Sequence, residues 1–406
     1  MDSVIKAAAQ SLALGDPLAA LKWVALRDDA PALALRGIAM AQLGEFALAR
    51  ELLRRARRAF SPTESVARAK CVVAEAEIAL ASRDLSWPVK ELETARKTLQ
   101  RHGDLLNAAF ARYLDVRRLL LVGHLDEAES ALAELDPAPF PAALKTAHEL
   151  VVAGIALRRL QSKAARAALS RAANAARIAA IPALAAEVEN ASRILSTPAA
   201  RLIARGRERP ILLEEVEALL RSDALVIDAC RYAVRHARTV VSLASRPVLF
   251  ALVRTLAEAW PADLPRDILL ARVFGSKFVD ESHRARLRVE MARLRKLLDG
   301  LAGVNATTRG FVLVPRRSCE VLILARPVED QHGAVLALLA DGESWSSSAL
   351  ALALGTSQRS VQRALDSLAA DGKVQSFGRA RARRWITPPL PAFTTTLLLP
   401  APLLIG

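Results

Sequence analysis

The chain has 406 residues, enough for about two to four domains with cores of their own. A formal charge of +15 at pH 7 and a pI near 10.6 favour an anionic partner. Cys71, Cys230 and Cys319 lie too far apart for a ligand spacing, which excludes a zinc site or disulfide framework and marks them as small buried residues.

Residues 1–200 carry the first signal, a degenerate internal repeat. Gly37-Ile38-Ala39-Met40, Gly44-Glu45-Phe46, Ala49, Leu53, Ala56 and Pro62 form one copy. Gly123-His124-Leu125-Asp126-Glu127-Ala128 with Leu132 and Pro137 forms a weaker one, and Ala156, Ala165 and Leu169 mark a third within 153–172. Small residues at these spacings let paired helices approach closely, and the pattern resembles tetratricopeptide repeats. The resemblance implies an α-solenoid of about ten helices whose concave surface binds a protein or peptide, or which joins two copies into a homodimer. Residues 201–222 are expected to be a linker helix, with Gly206 and Pro210 breaking the chain near the junction.

From Asp223 the pattern changes. Leu225-Val226-Ile227, Tyr232-Ala233-Val234 and Thr239 to Leu243 are β-branched runs separated by polar residues, which predicts a small antiparallel sheet. Pro247 to Trp260 and Pro265 to Phe274 have helical spacing, the second ending at Gly275. Next comes LRVEMARLRKLL, Leu287 to Leu298. At 100° per residue Leu287, Met291, Leu294 and Leu298 fall on one stripe, and the other side is basic. Between Ser282 and Lys296, Arg284, Arg286, Arg288, Arg293, Arg295 and Lys296 face Glu290 alone. An ordinary solvated helix alternates acid with base, so the excess points to phosphates and base edges. Val304 to Val314 then predicts a hairpin with Gly310 at the turn.

Arg266 to Gly275, Leu287 to Arg295, and Thr308-Arg309-Gly310-Phe311-Val312-Leu313 resemble, in order, the second helix, recognition helix and wing of OmpR/PhoB-type winged-helix domains of bacterial response regulators. The likeness covers about 223–315 of an expected domain at 223–325. It implies that Arg286, Val289, Arg293 and Lys296 face the major groove, with Arg284 and Arg288 beside them, and that Arg309 meets the backbone or minor groove. Leu297 stands where that family commonly has Lys, and Phe311-Val312 where its wing has Tyr-Arg.

A second reader is expected at 326–390. Ala334 to Ala340, Ser348 to Leu354 and Ser357 to Ala370 read as three helices, with Gly355 supplying the turn and Thr356 or Ser357 the cap. Val361, Leu365 and Leu368 share a face, which turns Arg359, Gln362 and Arg363 outward. Lys373 to Ile386 reads as a hairpin wing bearing Arg379, Arg381, Arg383 and Arg384, suited to phosphate or minor-groove contact. This stretch resembles winged helix-turn-helix regulators in general. The tail at 391–406 is apolar but broken by Pro400 and Pro402, and is expected to pack as a strap on the last domain.

Enzyme chemistry finds no foothold. His102, His124, His148, His236, His283 and His332 are scattered, and no nucleophile elbow, phosphate loop or dinucleotide fingerprint occurs. Asp115 and Asp126 do not make a phosphoacceptor pocket. No cofactor or metal is expected. The fold expected is mainly α, a tetratricopeptide-like solenoid followed by two winged helix-turn-helix domains. The function expected is a bacterial sequence-specific DNA-binding transcription regulator on double-stranded DNA. The alternative is an interaction scaffold whose winged helices bind protein. With no leader and no apolar run of about 18 residues, the expected location is the cytoplasm, at the nucleoid and off the membrane.

Overall fold

The computed structural model describes residues 2–82, 84, 87–244, 246–274, 281–317, 319–327, 332–339, 344–371, 373–378 and 383–386. Packing divides the chain into two units. One comprises residues 1–159 and 163–192 with the segment from His332 onward; the other comprises 160–162 and 193–331. Among the described residues the chain is mainly helical, with eleven strands gathered in its second half.

Eleven helices lead: α1 (Ser3–Ala13), α2 (Pro17–Val24), α3 (Ala30–Gln42), α4 (Phe46–Ala59), α5 (Ser65–Ala81), α6 (Val89–Arg101), α7 (Leu105–Val122), α8 (Leu125–Ala133), α9 (Ala142–Arg158), α10 (Ser162–Ala179) and α11 (Pro182–Arg193). Four of these starts share a local cause. Asp2, Asp16, Asp29 and Asp104 precede α1, α2, α3 and α7 and accept a hydrogen bond from an otherwise orphaned backbone N–H. Gly123, at φ 82°, closes α7 in the left-handed conformation. Helix α3 packs closely on α4 because Gly37 has no side chain. A Cβ there would lie 2.9 Å from Leu53 Cγ and 3.1 Å from the Ala49 carbonyl oxygen.

Helix α5 is buried all round from Ala69 to Ala81, so it carries no amphipathic stripe. Its buried charges have partners: Lys70 Nζ lies 3.0 Å from Asp104, and Glu75 lies 3.5 Å from Arg54 and 4.0 Å from Arg57. Burial still pushes the Glu75 carboxyl above its ordinary range, against the pull of those arginines.

The same unit contains α16 (Gly333–Leu339), α17 (Ser347–Leu354), α18 (Gln358–Ala370) and the hairpin β10 (Gln375–Phe377) with β11 (Arg384–Ile386). Trp345 and Trp385, both fully buried, anchor its core with Leu350, Val361, Leu365 and Leu368. Leu121 of α7 packs against this cluster, so the part of the expected 326–390 domain from His332 onward shares a unit with the N-terminal helices.

The other unit is built on a six-stranded sheet, β2-β1-β9-β3-β4-β5. Strands β1 (Ala200–Ala204) and β2 (Arg207–Ile211) form a hairpin, and only α12 (Leu213–Arg221) of the expected 201–222 linker is helical. The correction has a plain cause: Gly206 at φ 75° and Arg205 at φ 49° make a tight turn where a helix was expected. Strands β3 (Leu225–Asp228), β4 (Ala233–His236) and β5 (Thr239–Ser242) match the three expected runs. Their sheet is not purely antiparallel, since β9 (Val321–Ala325) lies parallel to β3 and antiparallel to β1.

One face of this sheet, through Val226, Leu324, Ala200 and Ile211, packs with Val216 of α12. The other, through Leu225, Ile227, Val321 and Ile323, packs on α13 (Pro247–Ala259), α14 (Arg266–Phe274) and α15 (Glu281–Leu297). A smaller antiparallel sheet of β6 (Leu264–Pro265), β8 (Gly310–Pro315) and β7 (Ala302–Ala306) closes the three helices at one side.

Gly310 faces Pro265 in that sheet, where a Cβ would fall 1.8 Å from the Leu264 carbonyl oxygen. Backbone cannot yield as a flexible side chain does. Gly310→Ala is therefore expected to lower the stability of this unit by about 2 kcal/mol or more in thermal unfolding. Gly303→Ala in β7 meets nothing nearer than 3.6 Å, so its cost should stay below about 1 kcal/mol.

Candidate nucleic-acid interface

Helix α15 is placed by its apolar stripe. Leu287, Met291, Leu294 and Leu298 are at most 3% exposed and sit in one core with Leu252, Leu256, Leu269 and Leu270. Burying each contributes about 1.5–3 kcal/mol, which fixes the helix's rotation. Arg284, Arg286, Arg288, Val289, Arg293 and Lys296 consequently lie on exposed surface. Val289 is half exposed among the cations.

Local contacts organise this face. The Arg286 guanidinium lies over the Phe274 ring at 4.8 Å, and Arg293 Nη1 donates to Glu290 Oε1 at 2.9 Å. Arg295 is exposed as well, but it is also tied to the scaffold: its Nε donates to the Val304 carbonyl at 2.6 Å and its guanidinium lies 5.8 Å from the Phe311 ring centre. Leu297 is half-buried against the core, which accounts for an apolar residue at that position. Gly275 and the rest of the α14–α15 connection lie outside the described residues.

The turn at 307–310 stands beside the same helices. Thr307 Oγ1 donates to Asp263 at 2.7 Å and accepts from the Gly310 N–H at 2.9 Å. Arg266 donates to the carbonyls of Thr307 at 3.1 Å and Thr308 at 3.3 Å, and lies over Phe311. Arg309 projects from this braced turn, 71% exposed, with Asp263 at 3.9 Å. The sequence reading missed Asp263 and Thr307; the only available signal was a Thr three residues before a turn glycine.

The second basic face is ordered by caps. Ser346 Oγ accepts from Ala349 N at 3.1 Å to start α17, Gly355 ends it at φ 60°, and Ser357 Oγ accepts from Ser360 N at 3.1 Å to start α18. Of the two cap candidates, Ser357 supplies the cap. Val361, Leu365 and Leu368 are buried as the spacing predicts, leaving Arg359 and Arg363 exposed and Gln362 half-exposed, its Nε2 2.9 Å from Asp366.

In the hairpin, Trp345 and Trp385 exchange backbone hydrogen bonds of 2.8 and 2.7 Å. Arg383 stacks on Trp385 at 4.3 Å and reaches Ser376 Oγ at 3.2 Å, while Arg384 is half-buried. The tryptophan pair escaped the sequence reading because the partners lie forty residues apart. Arg379, Arg381 and the tail at 391–406 lie outside the described residues.

Groups suited to other chemistry are occupied elsewhere. Burial pushes the Cys71 thiol up to about 12 and the Cys230 thiol to about 11, far from thiolate at neutral pH. Cys71 is buried as expected, whereas Cys230 and Cys319 are half-buried. His124 pairs with Glu127 at the start of α8, and half-buried His148 meets the Tyr113 hydroxyl at 3.0 Å. Asp115 pairs with Arg118 and Asp126 with Arg159. Among the described residues no group of three or more His, Cys, Asp or Glu is arranged to hold a metal ion, and no helix is long and apolar enough to cross a membrane. Comparison with protein-family models, curated proteins and solved structures finds no match.

Arg295 and Lys296 are both exposed, but Arg295 also contacts the neighbouring sheet. Arg295→Ala is expected to destabilise the α13–α15 unit by about 1–2 kcal/mol, through a lost hydrogen bond and lost packing of its stem. Lys296→Ala should change stability by less than about 0.5 kcal/mol, a difference readable in paired thermal melts.

Proposed function

We propose that the chain is a sequence-specific DNA-binding transcription regulator of bacterial type, with two winged helix-turn-helix readers and a tetratricopeptide-like domain that senses a partner or joins copies. One observation carries the reading: the burial of Leu287, Met291, Leu294 and Leu298 turns Arg284, Arg286, Arg288, Arg293 and Lys296 outward around exposed Val289. In the major groove, arginine recognises guanine O6 and N7 and an apolar side chain contacts the thymine methyl. Phe274 and Glu290 restrain Arg286 and Arg293, which lowers the entropy lost when they meet a base. Arg309 on its braced turn is placed for phosphate contact, and α18 offers Arg359, Gln362 and Arg363 as a second set.

The alternative, an interaction scaffold, draws support from the other end of the chain. Leu14, Leu18, Trp23 and Leu26 leave apolar surface exposed around α2, with Leu26 fully exposed. A protein partner on the repeats is compatible with either reading, so DNA binding itself discriminates them.

Fluorescence anisotropy with a selected site and a random duplex, over a salt series, supplies the test. Arg286→Ala and Arg293→Ala are each expected to weaken specific binding by about 1–3 kcal/mol with a smaller effect on random DNA. Arg309→Ala should weaken both and reduce the salt slope by about one. Equal losses on both duplexes from all three variants would contradict base readout by α15, and a stoichiometric protein partner without any DNA binding would favour the scaffold.

A further inference from the structure

Helices α5, α7, α9 and α11 leave a cavity of about 190 Å³ between them. Apolar side chains predominate in its wall: Leu80, Leu120, Leu121, Ala147, Leu150 and Val151. Positions 147, 150, 151, 154 and 158 share one face of α9, so the cavity follows that helix for about three turns. An apolar cavity of about 150 Å³ accommodates benzene, so this one admits a single ring or a short chain.

Three charged residues complete the wall, Arg117, Arg158 and Glu187. Arg117 donates to Glu187 at 2.7 Å, and the two neutralise one another. Arg158 has no carboxylate partner among the described residues; its Nη1 donates to the Gly154 carbonyl at 3.1 Å. That bond turns the side chain back along α9 beside Gly154, where a Cβ would lie 3.2 Å from Leu120 Cδ1 and 3.8 Å from Arg158 Nη1. The guanidinium is thus held next to the apolar wall. Water reaches the side chain, yet burial pushes its pKa below the ordinary arginine range. A cation placed there without a counter-charge attracts an anion more strongly than a fully solvated surface arginine does.

We propose that this cavity binds a small organic carboxylate with a compact apolar body, about the size of benzoate or hexanoate. The apolar body lies among Leu120, Leu121, Leu150 and Val151, and the carboxylate pairs with the Arg158 guanidinium, whose planar N–H donors match it. Two arginines against one glutamate leave the wall one positive charge, which a single carboxylate cancels. Inorganic phosphate would leave the apolar wall uncovered, and a neutral ring would leave Arg158 unpaired. Leu121 also packs on the core of Trp345 and Trp385, so an occupant touches a residue that supports α16–α18. Binding at this site is independent of whether those helices read DNA.

Isothermal titration calorimetry of the full chain with benzoate and hexanoate tests the proposal. At least one of the two acids is expected to bind saturably, at one site per chain, below about 10 mM. Benzyl alcohol keeps the ring without the charge, and acetate keeps the charge without the apolar body; each should bind about tenfold more weakly or worse. Arg158→Gln should weaken binding of the acid about tenfold or more while leaving thermal unfolding unchanged, because no internal ion pair is lost. Ala191→Phe, at a half-buried position on the α11 wall, fills the cavity and should abolish binding in a chain shown by circular dichroism to be folded. Absence of saturable binding by both acids, an Arg158→Gln variant that binds like the native chain, or benzyl alcohol binding as tightly as the acids would overturn the proposal.

Discussion

The rotation of α15 about its own axis is the constraint on which the rest of the candidate interface depends. Four apolar side chains at 287, 291, 294 and 298 enter one core, and the loss of their water contact outweighs any preference of the charged residues for a particular direction. Once that stripe is seated, the outward residues follow from helical geometry alone. The neighbouring sheet adds a second restraint, because exposed Arg295 is tied through its Nε to the Val304 carbonyl. A helix held from two sides presents its remaining side chains in fixed relative positions, a requirement for reading a base pattern rather than merely neutralising phosphate.

Much of this is legible in the sequence wherever one periodicity dominates. The 4-3 spacing of α15 and the Val361-Leu365-Leu368 face of α18 both emerged as read, because burial of an amphipathic stripe overrides weaker preferences. The strands at 225–242 were visible for a related reason, as β-branched runs between turn residues. Helix α5 shows the converse: buried on all sides, it has no stripe to announce its neighbours, and its Lys70, Glu75 and Glu77 look like surface residues in the sequence.

What the sequence concealed was non-local pairing. Strand β9 lies more than ninety residues from β3 and more than a hundred from β1, yet it joins them, and the β1–β2 hairpin occupies ground where a linker helix was expected. Gly206 and Pro210 were recognised as breakers, but a breaker in a helix and a turn in a hairpin use the same residues. The Asp263–Thr307 brace and the Trp345–Trp385 pair are likewise contacts between distant positions. They decide how firmly Arg309 and Arg383 are held, so details of the basic surfaces depended on partners that no local window contains.

Sequence-specific recognition of DNA is the central claim, and selection from a pool of random duplexes by the purified full-length chain tests it most directly. Successive rounds should enrich a common sequence containing guanine contacts suited to Arg286 and Arg293, protected from cleavage when that sequence is footprinted. A pool recovered without any shared sequence, at salt concentrations low enough for binding, would contradict it.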